Sequence, residues 1–189
     1  HAAETTAAFL DRLGEPAARL ARDLLRLDSP PAGALSWAAA YAAQTAAHDL
    51  LPLLCRQLEH RSATARTAVM AAILALPPAP DAPLPSAPGD DRSDDRGSDS
   101  SDDPRKLAFL RGLADERIEV RSLSAVGLAG YPMDPRLHAV LWDRPLADYR
   151  PAARLSLVDL ARRSQDRAGL GRALYDAHPL VRAAALRAL

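Results

Sequence analysis

A short pattern recurs along the chain at a nearly fixed interval, and this repetition limits what the chain can fold into. The stretch 176–189 reads DAHPLVRAAALRAL, and the stretch 148–161 reads DYRPAARLSLVDLA. In both stretches Asp comes first, Pro follows three residues later and Arg follows six residues later. Because similarity at a fixed period indicates a repeated structural unit, the pattern predicts a protein built from similar units placed one after another.

The arginine of this pattern extends the register to the rest of the chain. Five arginines can be aligned: Arg19, Arg66, Arg121, Arg154 and Arg182. Pro stands three residues before three of them: Pro16, Pro151 and Pro179. Asp stands six residues before three of them: Asp115, Asp148 and Asp176. A proline in the first turn of a helix sacrifices no hydrogen bond, so each arginine is predicted to lie just inside the start of a helix.

The composition favours helices over strands. Apolar residues make up 48% of the chain but aromatic residues only 4%, so alanine and leucine must build any core. Both have high helix propensity, whereas the β-branched residues that favour strands are few. We predict an all-α protein, an α-solenoid of about five to six stacked antiparallel helix pairs. The expected pairs span about 3–27, 34–59, 62–76, 105–130, 135–162 and 168–189.

One segment interrupts the repeat. Arg66 and Arg121 lie 55 residues apart, and the stretch 77–104 between them reads PPAPDAPLPSAPGDDRSDDRGSDSSDDP. Such a sequence buries too little apolar surface to offset the entropy of ordering, so we predict that it is disordered. The predicted organisation is one continuous solenoid with N-terminal repeats over 1–76, the acidic insert over 77–104 and C-terminal repeats over 105–189.

Asp followed six residues later by Arg, with alanine and leucine after it, resembles the HEAT repeat, especially the short bacterial kind found in lyase-type HEAT-like proteins. The resemblance is good over 105–189, fair over 49–76 and weak before residue 48. It implies an armadillo-like α-solenoid that binds proteins along its concave surface.

The resemblance also implies a structural ladder of Asp and Arg residues between adjacent repeats. Carried over to this sequence, the ladder matches Asp115 with Arg121, Asp148 with Arg154, and Asp176 with Arg182. The first two units have Leu13 and His60 at the Asp position, so we expect the ladder to weaken or end there. The expected role of the ladder is to set the register of neighbouring repeats.

Motifs of catalysis and metal binding do not occur in the sequence. The five histidines form no HExxH motif, the single cysteine Cys55 forms no CxxC pair, and there is neither a GxSxG motif nor a phosphate-binding loop. We therefore predict no catalytic residue, no metal site and no cofactor, and no enzymatic activity.

The charges leave two kinds of partner to consider. The chain carries 24 basic and 24 acidic residues, but residues 81–103 hold eight Asp and two Arg, a net charge of −6, which leaves +6 on the remainder. Five arginines could form a concave partner-binding surface: Arg22, Arg26, Arg162, Arg163 and Arg187. Three residues past the aligned arginines, however, the side chains are Arg22, Val69, Ser124, Leu157 and Ala185. Because no basic column recurs, these positions favour a protein partner over a nucleic acid.

The leading hypothesis is a HEAT-like protein-interaction or assembly module without catalytic activity of its own. One alternative is an accessory region of a lyase-type chaperone or of a larger bacterial enzyme, and another is nucleic-acid binding through the concave arginines. The uncharged run 29–48 contains two prolines and Gln44, so it is interpreted as a soluble helix and no membrane partner is expected. We expect a cytoplasmic location, and because the chain opens at His1, a fragment of a longer polypeptide.

Overall fold

A computed structural model describes residues 2–77, 103–133, 135–142 and 144–189. Within these ranges the chain forms ten α-helices and no strand, which confirms the prediction of an all-α protein. The helices are α1 (Ala2–Arg26), α2 (Ala32–Gln44), α3 (Leu51–Arg56), α4 (Ala63–Ala75), α5 (Pro104–Gly112), α6 (Ile118–Leu128), α7 (Pro135–Trp142), α8 (Pro151–Arg163), α9 (Arg167–Ala173) and α10 (Pro179–Ala188). Short 3-10 segments follow α2, α3 and α7, at His48–Leu50, Gln57–Glu59 and Leu146–Asp148.

Four of the five aligned arginines occupy the same place in a helix. Arg66, Arg121, Arg154 and Arg182 are each the fourth residue of α4, α6, α8 and α10 respectively. Two of these helices, α8 and α10, begin with a proline, which presets the backbone for the first helical turn. The local signal in the sequence therefore corresponds to the starts of these helices.

The N-terminal region differs from the expected helix pairs. Arg19 lies within α1, a single element that is broken at Gly14, where φ is +45°. Glycine reaches this backbone conformation without the steric penalty of a side chain, and Pro16 then opens the second part of the element. The element packs on α2 and α3, so the first helix pair is α1 with α2 and the second is α3 with α4. The alanine-rich α2 has Leu35 as its fourth residue, and it carries no arginine that could reveal this pairing.

Helices that alternate along the chain pack on one another. Contacts join α2 to α4, α4 to α6, α6 to α8 and α8 to α10, and we call these five the second helices. The preceding helices complete each pair, as in the contacts of α5 with α6 and of α9 with α10. Residues 78–102 of the predicted insert lie outside the described residues, yet α4 and α6 on either side of them are in direct contact. The packing of helix on helix therefore continues from α4 to α6.

Small residues let the helices approach closely. A Cβ at Gly127 of α6 would lie 2.5 Å from the ring of Phe109 in α5, so only glycine fits there. A Cβ at Gly112 would lie 2.5 Å from Met70 Cε of α4 and would also overlap the Ser124 hydroxyl. Phe109 and Met70 are fully buried at these contacts, and burial of such a side chain contributes roughly 1.5–3 kcal/mol. Close glycine contacts thus join α4, α5 and α6 into one core.

A hydrogen bond links the start of α5 to the segment after α6, next to residues 78–102. Asp103 caps α5 by accepting a hydrogen bond from Arg105 N at 2.8 Å, and its other carboxylate oxygen accepts one from Tyr131 Oη at 2.6 Å. Burial and this hydrogen bond both raise the pKa of the Tyr131 hydroxyl well above its usual range. The bond fixes the start of α5 to the segment after α6, so α5 is anchored at the point where it follows residues 78–102.

Candidate protein-binding surface

Each helix pair forms one unit. Arg66 connects the second unit, α3 with α4, to the third unit, α5 with α6, through hydrogen bonds of its side chain. Its Nε donates to Asp115 Oδ2 at 2.6 Å, and its Nη2 donates to Asp115 Oδ1 and Glu116 Oε1, both at 3.1 Å. Its Nη1 donates to the backbone carbonyls of His60 and Arg61 in its own turn. Two parallel bonds between an arginine and a carboxylate fix direction as well as distance, so this contact sets the position of one unit against the next.

Arg154 makes the corresponding contact between the last two units. Its Nη1 donates to Asp176 Oδ1 at 2.6 Å, and both side chains are nearly buried. We call such a contact between adjacent units a joint. Between these two joints, Arg121 Nε donates to the backbone carbonyl of Asp148 at 3.3 Å rather than to its carboxylate. The Asp148 side chain instead lies 3.9 Å from Arg144 in its own loop.

The side-chain bonds therefore run from the arginine of one unit to the aspartate of the following unit. Asp and Arg residues of the same unit, which the sequence matched, meet through the backbone: Arg121 Nη1 donates to Asp115 O at 2.9 Å, and Arg182 Nη1 donates to Asp176 O at 2.8 Å. The physical reason is that each carboxylate is held by the backbone amide two residues on, Arg117 N for Asp115 and His178 N for Asp176. This short local bond leaves the carboxylate facing the preceding unit.

His60 takes the place of the aspartate in the second unit. Its Nδ1 accepts a hydrogen bond from Ser62 N at 3.0 Å, as the aspartates do from the amide two residues on. Its Nε2 lies 2.9 Å from Pro30 O, and with the proton on Nε2 it donates to this carbonyl of the first unit. The side chain of Leu13 lies outside the described residues. The joint at His60 is thus made by a different side chain, which keeps the local bond but donates to the preceding unit, where the aspartates accept.

Gln57 adds a second contact at this joint that the sequence analysis did not single out. Its amide nitrogen donates to the carbonyls of Leu25 and Leu27 at 2.9 and 2.8 Å, at the end of α1. These carbonyls lack helical partners because the helix ends there. Both residues lie in the charged stretch RQLEHR over 56–61, so no signal in the sequence separates them from surface residues.

The five arginines proposed as a binding surface are divided between α1 and the last units. Arg22 Nη2 donates to Asp49 Oδ2 at 2.9 Å, and Arg26 lies 3.8 Å from Asp23. Arg162 and Arg163 both donate to Asp159, at 2.9 and 3.0 Å. Arg162 and Arg187 line a shallow groove of about 200 Å³ between α8 and α10. Since four of the five face a carboxylate, their charge is largely balanced within the chain.

A comparison of the second helices identifies an apolar surface that sequence reasoning missed. We define the forward face of each helix by the residues four and seven positions after its aligned arginine. On α4, α6 and α8 these residues are at most 3% exposed: Met70, Ile73, Ala125, Leu128, Val158 and Ala161. For α10 they are Leu186 and, one residue past the end of the helix, Leu189, which are 69% and 64% exposed. Each of α4, α6 and α8 packs on the next second helix, whereas no following helix packs on α10 in the described part of the chain, and its forward face is open.

Arg182 stands at the edge of this open face. Its Nη1 donates to the carbonyls of Asp176 and Ala177 at 2.8 and 2.9 Å, as Arg121 does in its own turn. Arg66 and Arg154 each have a carboxylate from the following unit as well, but Arg182 has no ion pair within the described ranges. The open face therefore combines two exposed leucines with an arginine whose counterparts all contact a following unit.

None of the helices in the described ranges is both long and apolar enough to cross a membrane. In the same part of the chain, no group of three or more His, Cys, Asp or Glu residues is placed to hold a metal ion. No family model, curated protein or solved structure matches the chain.

Proposed function

We propose that this chain is a HEAT-like α-solenoid that acts as a protein-interaction or assembly module, without catalytic activity of its own. The observation that carries the proposal is the open forward face of α10. Each equivalent face earlier in the chain is apolar and covered by a helix, and Leu186 and Leu189 are apolar but exposed. An exposed apolar face on a surface otherwise rich in charge is typical of a site where another protein binds.

The proposed occupant is a helical hairpin that carries an aspartate or glutamate in its turn. The apolar side of its helix would cover Leu186 and Leu189, as α10 covers Val158 and Ala161 of α8. Its carboxylate would bind the Arg182 guanidinium, as Asp176 binds Arg154 at 2.6 Å. The site thus continues the packing and the charge pairing already present between units of the chain.

The interaction proposal agrees better with the arginines than a nucleic-acid proposal does. Arg22, Arg162 and Arg163 are engaged by Asp49 and Asp159, so phosphate groups would have to displace existing partners. A role as an accessory region of a chaperone or larger enzyme is a special case of the same module, in which the partner is the catalytic part. We propose a cytoplasmic location for either case.

Site-specific photo-crosslinking tests the proposal. A photoreactive amino acid replaces Leu186 in one variant and Ala40, an exposed residue of α2, in the control variant. We expect a discrete adduct from position 186 and none from position 40, with the attachment point in a helical hairpin that has an acidic turn. Arg182→Ala should weaken adduct formation severalfold, whereas Arg187→Ala, an exposed arginine on the same helix, should not.

Two outcomes contradict the proposed occupant. An adduct with twice the mass of the chain would show that a second copy covers α10. Equal labelling at positions 186 and 40 would show that the forward face has no preferred partner.

A further inference from the structure

The joints at Arg66 and at Arg154 differ in the number of hydrogen bonds that the arginine makes. Arg66 donates to five acceptors: two oxygens of Asp115, one of Glu116, and the carbonyls of His60 and Arg61. Arg154 donates through Nη1 to Asp176, and its buried Nε has no hydrogen-bond partner among the described residues. An unpaired buried donor costs free energy, so the last joint has unused binding capacity.

One residue accounts for part of this difference, because it supplies an acceptor to Arg66 Nη2, and Arg154 Nη2 makes no hydrogen bond among the described residues. Glu116 follows Asp115 directly and supplies the additional carboxylate to Arg66. The residue that follows Asp176 is Ala177, which has no side-chain acceptor. The last joint therefore lacks the second carboxylate that the earlier joint contains.

A cavity lies where that carboxylate is missing. It has a volume of about 720 Å³ and lies between the loop before α8 and the turn before α10. Its lining includes Trp142, Arg144, Arg154, Arg172, Tyr175 and Ala177. Tyr175 is 90% exposed at the rim, whereas Trp142 and Arg154 are more than nine-tenths buried. The cavity is thus open to solvent and has the incompletely paired arginine in its wall.

The polar groups of the cavity select for an acceptor with a single negative charge. Trp142 Nε1 is a second buried donor without a partner in the described part of the chain. Three arginines and Asp176 line the cavity, and Asp148 lies 3.9 Å from Arg144, so the net charge of these groups is +1. A carboxylate in the cavity can accept hydrogen bonds from the Arg154 and Arg144 guanidinium groups and takes the chemical role of Glu116, whereas the nearby Asp176 disfavours a dianion.

We propose that this cavity binds a carboxylate, which pairs with Arg154 as Glu116 pairs with Arg66. The carboxylate can belong to a glutamate side chain of a peptide or to a small free acid, because both present the same group. Arg144, whose side chain is 40% exposed, provides the second charge at the entrance. The site is separate from the forward face of α10 and does not depend on the function proposed there.

Titration of the full chain with defined carboxylates tests this site. Trp37→Phe leaves Trp142 as the one tryptophan, because the chain has two, and its indole N–H gives a single side-chain NMR signal. The probes are sodium acetate and the blocked tripeptide acetyl-Gly-Glu-Gly-amide, with the Gln tripeptide and sodium chloride as controls. We expect a saturable shift of the Trp142 signal with at least one carboxylate and none with the controls.

A matched pair of variants makes the result specific. Ala177 is exposed, so Ala177→Glu and Ala177→Gln should both fold. Ala177→Glu supplies the missing carboxylate from within the chain and should weaken carboxylate binding at least tenfold, whereas Ala177→Gln should change it less than threefold. Arg144→Ala should weaken binding about threefold or more.

The outcomes separate the possible sources. Binding of the Glu tripeptide but not acetate indicates a peptide ligand, and equal binding of both indicates a small acid. The proposal is wrong if neither carboxylate shifts the Trp142 signal, or if binding is the same in Ala177→Glu and the parent chain.

Discussion

The forward faces of α4 and α10 carry the same kinds of side chain in the same positions, but only one of them is covered. On α4, Met70 and Ile73 are fully buried and Arg66 is paired with Asp115. On α10, Leu186 and Leu189 are mostly exposed and Arg182 has no carboxylate partner in the described ranges. The difference shows that the apolar pattern of one helix predicts a contact surface but does not reveal what covers it.

Truncation of the apolar residue four positions after the arginine should separate the two faces most strongly. Met70→Ala removes a fully buried side chain and should lower the free energy of unfolding by about 2–5 kcal/mol. Leu186→Ala removes an exposed side chain and should change it by less than about 0.5 kcal/mol. Urea unfolding followed by circular dichroism measures both. Equal losses would mean that α10 is covered even in the isolated chain.

Removal of the arginine should have the next largest effect. Arg66→Ala leaves the Asp115 side chain, which is 10% exposed, with only the hydrogen bond from the Arg117 backbone amide. Because an uncompensated buried charge is costly, we expect a loss of about 3 kcal/mol. Arg182→Ala removes two bonds to carbonyls but no ion pair, and we expect about 1 kcal/mol. Thermal unfolding of the two variants side by side decides whether the carboxylate of the following unit contributes to stability.

The glycine that lets α5 approach α4 gives a third comparison. Gly112 lies three residues before Asp115, and the equivalent position before Asp176 is Ala173, which is fully buried. Gly112→Ala would overlap Met70 and Ser124, so we expect destabilisation by roughly 1–3 kcal/mol. Ala173→Gly should cost about 1 kcal/mol through helix propensity. A stabilising Gly112→Ala variant would show that the contact between these helices can widen.

Acid should weaken the joint between Arg66 and Asp115, and we expect this to be the smallest of the four effects on stability. Burial alone would raise the pKa of Asp115, but hydrogen bonds from Arg66 and the Arg117 amide outweigh it and hold the pKa below its usual value. The ionised carboxylate therefore stabilises the fold above about pH 4, and this stabilisation is lost as the pH falls through the lower folded pKa.

Asp115→Asn tests this dependence. The variant should be less stable than the parent at pH 7, and the difference should shrink as the pH falls below about 4. Asp148→Asn serves as the control, because the Asp148 side chain faces Arg144 in its own loop rather than a preceding unit. A difference between Asp115→Asn and the parent that stays constant down to pH 2 would contradict the assignment.

The sequence predicted the helical class and the starts of four helices because their signal is local. A proline, a turn residue and an arginine within seven positions specify the first turn of α8 and α10 directly. The first unit was harder, because seven of the 13 residues of α2 are alanine and Leu35 stands where the later units have arginine. Periodicity cannot register a unit that lacks the marker residue.

The direction of the ladder could not be predicted from spacing. An arginine six residues after an aspartate can reach the turn of its own unit or that of the next unit. Which of these turns supplies the carboxylate depends on the hydrogen bond from the backbone amide that orients the carboxylate. The exposure of Leu186 was equally hidden, because its side chain is as apolar as Val158, which is buried at the same position. Both features depend on the neighbouring unit rather than on the local sequence.

His60 shows what a joint between two units requires of a side chain. The residue must offer one acceptor to the amide two positions on and one polar atom that reaches the preceding unit, and an imidazole meets both needs with Ser62 and Pro30. A charged group is therefore optional at this place. A search for this pattern that requires the aspartate would therefore pass over the unit that contains His60, even though a side chain joins it to the preceding unit.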